Sequence, residues 1–480
     1  MSNTKLEEFN KELELPSSWA QPGFMETFEV VSTNGKKIKQ REYQLSGALP
    51  VIDQGEDLIG GYTDKLDAAI KVGEPLIVFG DHTRVFKFIN HDFAPGADGV
   101  KVLRTSHSLM PKYAYHACQA LRLPNRGYAR HFSILKKFRF PVAPLNEQRR
   151  IVEKIESLFA QLDHSEAGLS YVQKLLARYR QSVLKAAVTG QLTADWRAEN
   201  ADRLESGSDL LERILQARRE NWQGRGKYKE PAAPDTSDLP ELPEGWVWAS
   251  IDQLHTHLTS GSRAWKKYYG SGDGVFIMAQ NVRPMRFDLS EKFSVDPPFD
   301  SPDAVRSEVR KDDVLITIVG ANTGDVCRFP SDASRHYVCQ SVALLRLADV
   351  ALSPFIETFL ASKGAGRDQL EKFIYGAGRP HLSFEQLRSV VAPIPPLGEQ
   401  AEIMQRVSEK LDEIKQVEIA CQAELARSAA LRQSILKDAF SGKLVPQDPN
   451  DEPACKLLDR IRAERDAAAP KKRTRKKATA

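Results

Sequence analysis

The chain repeats part of itself at a constant offset of 252 residues. Aligned without a gap, 144–192 and 396–444 share 15 identical residues of 49, where chance would give about three. Pro-Leu-x-Glu-Gln opens both segments, and both close with Arg-Gln-Ser, then Val or Ile, Leu-Lys, and finally Gly-x-Leu. Sequence that recurs at a fixed spacing reports a repeated architecture. We therefore expect two similar halves that present two similar surfaces.

An apolar residue recurs every three or four positions through each repeated segment. This spacing predicts a long helix over 147–189, which ends before Gly190, and a second helix over 399–441. Lys410 and Glu424 interrupt the apolar stripe of the second helix. A long helix with one apolar side leaves that side in water unless a partner covers it. The simplest prediction is that the two helices pack on each other.

A second repeated mark, Leu-Pro-x-x-Trp, opens each half at 15–19 and at 242–246. Between this mark and the helix of each half, short apolar runs lie near Gly, Asp and Asn, which is typical of short strands joined by turns. A chain of 480 residues has room for roughly three domain-sized units. We predict a mixed α/β protein with a pseudo-twofold tandem repeat. The predicted divisions are a globular domain at 15–143, a helix segment at 144–192, an amphipathic segment and linker at 193–241, a second globular domain at 242–395, a second helix segment at 396–444, and an amphipathic segment with a basic tail at 445–480.

Composition and charge exclude several classes of protein. No run of 18 apolar residues and no charged-then-apolar leader occurs, so we expect neither a membrane span nor a signal peptide. The five cysteines are scattered and never in CxxC spacing, which predicts reduced thiols in the cytoplasm and no zinc site. The net charge of +4 comes from 446–480, with ten basic and six acidic residues. Its basic run at 471–477 is interpreted first as a solvated tail and second as a nonspecific phosphate contact.

No catalytic motif of a common enzyme class is present in the sequence. There is no phosphate-binding GxxxxGK[ST], HExxH or GxSxG pattern, and the ten histidines have no paired metal-ligand spacing. Asp296-Pro-Pro-Phe299 matches the tetrapeptide with which amino-methyltransferases hold a target amino group, but no methyl-donor motif accompanies it. A proline turn is the favoured interpretation. The glycine cluster at 270–274 is interpreted as a loop. We predict no catalytic residue and no metal site in this chain.

The stretch between Asp98 and Glu147 holds 48 residues without a single acid. Three histidines and three tyrosines are interleaved with its basic residues. A phosphate backbone needs cations, and aromatic or histidine side chains can contact bases and sugars. A solvated basic face that pairs with acids elsewhere in the fold is the alternative. The nine basic residues are Lys101, Arg104, Lys112, Arg122, Arg126, Arg130, Lys136, Lys137 and Arg139.

The second globular domain is nearly neutral, with 17 basic and 18 acidic residues over 242–395. Any DNA-binding surface there must be local. Three short stretches offer amide and guanidinium groups of the kind that read purine edges. Ordinary turns or helix caps are the alternative for each. The stretches lie at 280–286, 322–323 and 375–381.

Taken together, these residues resemble the specificity subunit of type I restriction-modification systems, along nearly the whole chain. The likeness rests on the combination of Leu-Pro-x-x-Trp openings, Pro-Leu-x-Glu-Gln helix starts and Arg-Gln-Ser helix ends followed by Gly-x-Leu. Stretches inside both domains also look like target-recognition sequences; they lie at 50–55, 77–84, 96–101, 313–321 and 340–344. The first domain is short for the family, the second is nearly neutral, and the Lys-rich end is no family hallmark.

The resemblance implies two target-recognition domains held apart by an antiparallel coiled coil of two long helices. Each domain would read one half of a bipartite DNA site, and the helices would set the unread spacer. The family assembles on double-stranded DNA with two modification subunits, which use S-adenosylmethionine for DNA methylation, and with two restriction subunits, which use ATP and Mg²⁺. This chain would be cytoplasmic and noncatalytic, with no cofactor of its own. A pseudo-twofold protein displays each docking surface twice, which gives a reason for two partner copies.

We predict individual site residues on this basis. Base or near-base contacts are expected from Gln54, Thr83, Asn281, Asn322, Arg379 and His381, and a further DNA contact from Arg283. Phosphate contacts are expected from Arg84, Lys101, Arg104, Arg126, Arg130 and Lys136. Docking of partner subunits is expected from the matched helix ends, at Glu147, Gln148, Arg180, Gln181, Glu399, Gln400, Arg432 and Gln433.

Two alternatives stay open on the sequence alone. One is a self-sufficient adenine methyltransferase that uses Asp296-Pro-Pro-Phe299, and the other is a coiled-coil adaptor without DNA recognition. Binding of S-adenosylmethionine by the purified chain would favour the first. Sequence-independent DNA binding by the assembled complex would favour the second.

Overall fold

The computed structural model describes residues 15–106, 108–124, 127, 129–200, 205–222 and 226–468. The strands in this part of the chain are β1 Phe28–Val31, β2 Leu49–Ile52, β3 Gly61–Thr63, β4 Leu76–Gly80, β5 Phe86–Ile89, β6 Ala94–Pro95, β7 Val100–Thr105, β8 Val247–Ser250, β9 His255–Ser260, β10 Tyr269–Ile277, β11 Val282–Arg283, β12 Arg286–Phe287, β13 Ser294–Val295, β14 Val314–Thr317, β15 Val326–Arg328, β16 His336–Val338, β17 Val342–Leu347 and β18 Val391–Ile394. The helices are α1 Phe24–Thr27, α2 Pro111–Ala120, α3 Phe132–Leu135, α4 Leu145–Val188, α5 Ala194–Asn200, α6 Gly207–Glu220, α7 Ile251–Leu254, α8 Pro302–Ser307, α9 Ser353–Ala361, α10 Gly366–Phe373, α11 Phe384–Ser389, α12 Leu397–Phe440 and α13 Ala454–Ala468. None of these helices is long and apolar enough to cross a membrane.

The chain divides into two compact units. The first unit combines Met1–Ser170 with Gln422–Ala480, and the second is the continuous segment Tyr171–Cys421. The long helices α4 and α12 have 44 residues each, and both run without a break through a unit boundary. Each unit therefore contains the first part of one long helix and the last part of the other.

The two long helices start two residues before the predicted positions and stop one residue before the predicted ends. Pro144 and Pro396 directly precede them and accept the N–H of Gln148 and Gln400, each at 2.9 Å. Gly190 and Gly442 follow the helix ends with φ of 71° and 74°. Glycine adopts this left-handed conformation without a steric cost, so it ends a helix readily.

The central sheet has the same strand order in both units. In the first unit the order is β1-β7-β4-β5, and in the second it is β9-β17-β14-β15. All neighbouring pairs in both sheets are antiparallel. The mixed α/β fold with a repeated domain is thereby confirmed, although the two globular domains share little sequence.

Each central sheet is covered on both faces. In the first unit, one face joins Ile77 and Leu103 to Ile155 of α4 and Ile435 of α12 in a single core. The opposite face packs Val78 and its neighbours against the small sheet β3-β2-β6. Because successive side chains of a strand point to opposite faces, these two cores are built by alternate residues of the same strands.

The second unit repeats this layering. One face of its central sheet joins Val314 and Leu345 to Leu184 of α4 and Ile403 of α12. The other face packs Leu315 against residues of the small sheet β13-β10-β16. Two further strand pairs, β8 with β18 and β11 with β12, complete the described sheets of this unit.

Candidate nucleic-acid interface

The hairpin loop between β4 and β5 brings two predicted base contacts together. The hydroxyl of Thr83 donates to the backbone carbonyl of Gln54 at 2.6 Å, and the N–H of His82 donates to Gln54 Oε1 at 3.3 Å. Arg84 closes the loop with φ of 67°, where its N–H donates to Gly80 O at 2.8 Å. A left-handed residue that is not glycine fits a tight hairpin turn, because it lets the chain reverse within few residues. Gln54, Thr83 and Arg84 therefore lie side by side.

A buried aspartate joins this loop to the segment that precedes α3. Asp81 Oδ1 accepts the N–H of Phe132 at 2.7 Å, and Asp81 O accepts the N–H of His131 at 2.8 Å. The His131 ring is fully buried, and its Nδ1 lies 3.0 Å from the same carbonyl oxygen. Arg130, which is exposed, is thus held next to the hairpin loop.

Two predicted phosphate contacts flank one aromatic ring. The Nζ atoms of Lys101 and Lys136 lie 5.6 Å and 4.9 Å from the centroid of the Phe132 ring. A cation over an aromatic face is held by the ring quadrupole without losing its charge. The two ammonium groups and Arg130 form a small basic surface around the start of α3.

One further predicted phosphate contact, Arg104, does not join this surface. Arg104 lies on β7 an odd number of residues from Lys101, so it points to the opposite face of the sheet. There its guanidinium lies 3.4 Å from the carboxylate of Glu29 on β1. Strand alternation therefore separates Arg104 from Lys101, and its phosphate contact stays a prediction. Arg126 lies outside the described residues.

In the second unit, the loop between β14 and β15 meets the exposed stretch at 375–381. Gly320 N–H and the Thr323 hydroxyl donate to Pro380 O at 3.1 Å and 3.2 Å. The rings of Tyr375 and His381 stack with centroids 5.9 Å apart. This places the three predicted residues of the two stretches, Asn322, Arg379 and His381, in one loop cluster.

Each unit carries this loop arrangement at the equivalent position of its own central sheet. The β4–β5 loop and the β14–β15 loop connect equivalent strands, since both sheets have one strand order. Each loop is bonded through its backbone to a later segment that carries an arginine followed closely by a histidine, 130–131 in one unit and 379–381 in the other. The sequence gives no sign of this equivalence, because the repeated residues lie in the helices and not in the loops.

Asn281 is not available for a base contact. It is 2% exposed, its Oδ1 accepts the N–H of Met278 at 2.9 Å, and its Nδ2 donates to Asp288 O and Glu291 O. The predicted DNA contact is wrong because these three bonds use the amide to hold its own loop. Arg283 is half-buried in the β11–β12 hairpin, whose Met285 bonds to the first residue of β15.

The sequence did not single out two buried or half-buried cations that hold these loops. Lys87 on β5 donates to Asp57 O at 2.5 Å, within the loop that carries Gln54. Arg367 on α10 donates to Gly324 O at 2.5 Å and to Asp325 Oδ1 at 3.1 Å, at the end of the β14–β15 loop. A single basic residue in a short strand or helix is usually solvated, so nothing in the local sequence marks these two.

Each long helix starts with a buried glutamate that accepts a tryptophan N–H. In the first unit Trp19 Nε1 donates to Glu147 at 2.9 Å, and Gln447 Nε2 donates at 2.5 Å. Burial raises the pKa of the Glu147 carboxyl, and the two hydrogen bonds act against that rise. The Leu-Pro-x-x-Trp opening and the Pro-Leu-x-Glu-Gln helix start, which recur separately in the sequence, are therefore joined in space.

The second unit has the same Trp–Glu contact, and there the glutamate also pairs with a charged residue. Trp246 Nε1 donates to Glu399 at 2.8 Å, and the Thr193 hydroxyl donates at 2.7 Å. Arg197 adds an ion pair at 2.8 Å. A Cβ on Gly190 would collide with Pro243 of the opening mark, as a Cβ on Gly442 would with Pro16.

These junctions correct the docking prediction for four residues. Glu147, Gln148, Glu399 and Gln400 are at most 2% exposed. Gln148 Nε2 donates to Ala143 O at 2.9 Å, and Gln400 Nε2 donates to Pro395 O at 2.7 Å. The prediction that these four side chains contact a partner subunit directly is wrong for this conformation, because their own unit encloses them.

The arginines near the helix ends pair across the two helices. Arg432 contacts Glu166 at 3.1 Å in the first unit, and Arg180 contacts Glu418 at 3.2 Å in the second. Both members of one pair lie 252 residues from their counterparts in the other, and Glu166 with Glu418 is one of only two identities in the middle of the repeat. The repeat thus preserves an interhelical ion pair.

The neighbouring glutamines are more accessible. Gln181 Oε1 accepts the N–H of Lys363 at 3.0 Å. Gln433 is exposed at the edge of an open groove of about 510 Å³ that Arg84 and Arg122 also line. Docking by Arg180, Gln181, Arg432 and Gln433 stays a prediction.

Within Asp296-Pro-Pro-Phe299, Pro297 is buried and the Phe299 ring packs against its own unit, while Asp296 and Pro298 are exposed. The Phe299 ring stacks on Tyr337 with centroids 6.1 Å apart, and the Arg335 guanidinium covers it at 4.4 Å. The Asp296 N–H donates to Tyr268 O at 3.0 Å. In the part of the chain that the structure describes, no group of three or more His, Cys, Asp or Glu could hold a metal ion.

Comparison with known proteins gives one consistent family. The family model described as type I restriction modification DNA specificity domain matches residues 17–170 and 307–424, more than half of the chain. The type I restriction enzyme EcoBI specificity subunit of Escherichia coli is 28% identical over 439 residues, which cover 88% of this chain and 82% of that protein. The EcoKI specificity subunit of Escherichia coli strain K12 is 27% identical, over 70% of this chain and 66% of that protein.

A solved structure has the same fold. It comes from work on the structural basis underlying complex assembly and conformational transition of the type I R-M system. It superposes with a TM-score of 0.59 at 17% identity, over 90% of this chain and 100% of that chain. The family match, the two repeated domains and the shared fold lead to one conclusion: the chain belongs to the type I restriction-modification DNA specificity family and is a specificity subunit with two target-recognition domains.

Proposed function

We propose that the chain recognises a bipartite DNA site, with the β4–β5 loop cluster on one half-site and the β14–β15 loop cluster on the other. The equivalent placement of these clusters on two sheets of one strand order carries the proposal. In each cluster an exposed arginine, Arg130 or Arg379, lies beside residues with hydroxyl, amide or imidazole groups. Guanidinium groups bind phosphates and guanine edges, and the smaller polar groups can read base edges.

The chain acts in this proposal without catalysis and as a scaffold. It works in the cytoplasm with two modification subunits and two restriction subunits, and S-adenosylmethionine, ATP and Mg²⁺ bind to those partners. The twofold count is supported by the repeat, since the buried Trp–Glu junction and the interhelical Arg–Glu pair each occur twice. The packing of Phe299 against Tyr337 gives no support to a methyltransferase site at 296–299.

A footprinting experiment on the assembled complex tests the division of labour. R130Q removes a cation from the first cluster and R379Q removes one from the second. We expect R130Q to lose backbone protection in one half of the bipartite site and R379Q to lose it in the other half. K71Q and K372Q are charge-matched controls on exposed lysines of the same units, and they should leave the footprint unchanged. Loss of protection in the same half by both Arg variants would contradict the proposal.

A further inference from the structure

A buried lysine lies beneath the loop that carries Gln54. The Lys87 side chain is 3% exposed, and it projects from β5 on the face opposite the long helices, where Val78 is its neighbour across the strand pair. Its Nζ donates to Asp57 O at 2.5 Å and lies 3.5 Å from Asp53 Oδ1. Asp53 Oδ1 also accepts the N–H of Gly55 at 2.9 Å. The ammonium group therefore joins both ends of the turn at 53–57.

An apolar side chain in place of Lys87 would fill the same space without the free-energy cost of removing a charged ammonium group from water. Burial lowers the pKa of Lys87, and the nearby Asp53 carboxylate acts against that change. A buried charge is costly to desolvate, and a well-packed apolar residue is often as stable or more so. We therefore expect the ammonium group to fix the conformation of the turn rather than to add to the stability of the core.

The same turn orients Gln54 toward the hairpin loop. Its backbone carbonyl accepts the Thr83 hydroxyl, and its Oε1 accepts the His82 N–H. A Cβ on Gly99 would lie 2.6 Å from this Oε1, so a glycine leaves the space that the amide occupies. Because the oxygen faces a backbone donor, the amide is oriented with its NH₂ group as the free end. Within the described residues, no hydrogen bond uses that NH₂ group.

We propose that Lys87 is a positioning residue that fixes Gln54 as a specificity-determining contact, with its amide NH₂ directed at a hydrogen-bond acceptor on a base edge. The proposal rests on the proposed function. Acceptors of this kind in the major groove are N7 and O6 of guanine, N7 of adenine and O4 of thymine. An unfixed turn would leave Gln54 free to accept as well as donate, and the preference at that base would be lost.

The test uses the complete complex and a DNA library randomised in both half-sites, with bound sequences read out position by position. We expect Q54A and K87M to relax the preference at the same single position of one half-site, by about tenfold or more. The preference in the other half-site should remain, which also confirms that each variant has folded and assembled. K71M is the matched control, because Lys71 is an exposed lysine of the same unit.

Several outcomes would overturn the proposal. One is that K87M relaxes every position of its half-site or lowers all affinities equally, which would assign Lys87 a purely structural role. Another is an unchanged preference in Q54A. If K87M does not assemble, D53N removes the buried charge pair while keeping an acceptor for Gly55, and it must relax the same position as Q54A. A wild-type complex without preference in either half-site would instead refute the proposed function.

Discussion

Two glutamates at the starts of the long helices are equally buried and differently held. Glu147 accepts hydrogen bonds from the neutral Trp19 and Gln447, whereas Glu399 is paired with Arg197 in addition to Trp246. Glutamine in place of Glu147 can be accommodated, because the amide of Gln447 can rotate so that its oxygen accepts from the new NH₂ group. It cannot replace a carboxylate beside a guanidinium, because one of its ends is a donor.

We therefore predict that E399Q is much more destabilising than E147Q. The loss of charge leaves Arg197 with an unpaired charge in a mostly enclosed site, so E399Q should lower the free energy of unfolding by about 3 kcal/mol. E147Q should lower it by about 1 kcal/mol. Urea unfolding of the two variants measures the difference. Equal losses would mean that the Arg197 pair adds nothing beyond the tryptophan bond that both glutamates share.

The two lysines around Phe132 give a prediction about DNA binding. K101Q and K136Q remove a charge while keeping most of each side chain over the ring. If both lysines contact phosphates, each substitution weakens binding to all sequences alike and reduces the slope of log affinity against log salt by about one. Titrations at several salt concentrations check this, with K71Q as the control. A changed base preference would show that these lysines read bases.

The type of residue at the candidate site was predictable, but its use was not. The sequence named Gln54, Thr83, Asn322 and Arg379 as separate candidates, and the structure brings Gln54 beside Thr83 and joins the loops of Asn322 and Arg379. The sequence misassigned Asn281 because residue type says nothing about bonds that the fold already makes. It did not show that Arg104 and Lys101 lie on opposite faces of β7, because a basic stretch does not specify which face of a strand each residue takes. It missed Lys87 because burial of a lone lysine depends on distant parts of the chain.

At the scale of elements, the long helices were the most predictable part of the fold. Their apolar spacing extends over many turns, so it specifies a helix without help from the rest of the chain. The contact between Leu-Pro-x-x-Trp and the helix start was less accessible. Each of the two motifs occurs once in each half of the chain, and this shared repetition was the only hint of a link between them. Repetition alone does not show that the two motifs are in contact.

The interhelical Arg–Glu pairs are predicted to differ in strength. Arg432 has a second acid, Asp163, and lies 5.1 Å from the Phe159 ring centroid, while the more exposed Arg180 pairs with Glu418. Double-mutant cycles with alanine should give a coupling of about 0.5 kcal/mol for Arg180–Glu418, as for other exposed pairs. The coupling of Arg432–Glu166 should be about 1 to 2 kcal/mol. A larger value for Arg180–Glu418 would contradict the role assigned to burial.

At the scale of the whole molecule, the common strand order of the two sheets could not be predicted. Identity between the halves is concentrated in the helices, and the stretch between the repeated marks is longer in the second half. Strand pairing depends on contacts between residues far apart in the chain, and short apolar runs do not specify their neighbours. The repeat predicted that two domains should be similar, but not which loops are equivalent.

The expectation that the two long helices set the length of the unread DNA spacer gives a prediction at this scale. Inserting one helical turn of about four residues into both helices, at the boundaries 170/171 and 421/422, lengthens each by about 6 Å. If the helices set the unread spacer, the site methylated by the assembled complex should gain one or two base pairs between its halves. Sequencing of methylated DNA measures the spacer. Insertion into one helix alone is the control and should destabilise the packing of the two helices on each other. An unchanged spacer length after insertion into both helices would refute the idea that the helices set it.

The composition of the first unit has a consequence for the order of events on the ribosome. Domains generally fold as they emerge, the N-terminal one first. Here the first unit needs residues from 422 onward, whereas the second is continuous. Ile151 and Ile155 must wait for Ile435 and Ile461 before their core is complete. We therefore expect the domain that is translated first to complete its core only after some 250 intervening residues have been synthesised, with apolar surface on Ile151 and Ile155 uncovered until then.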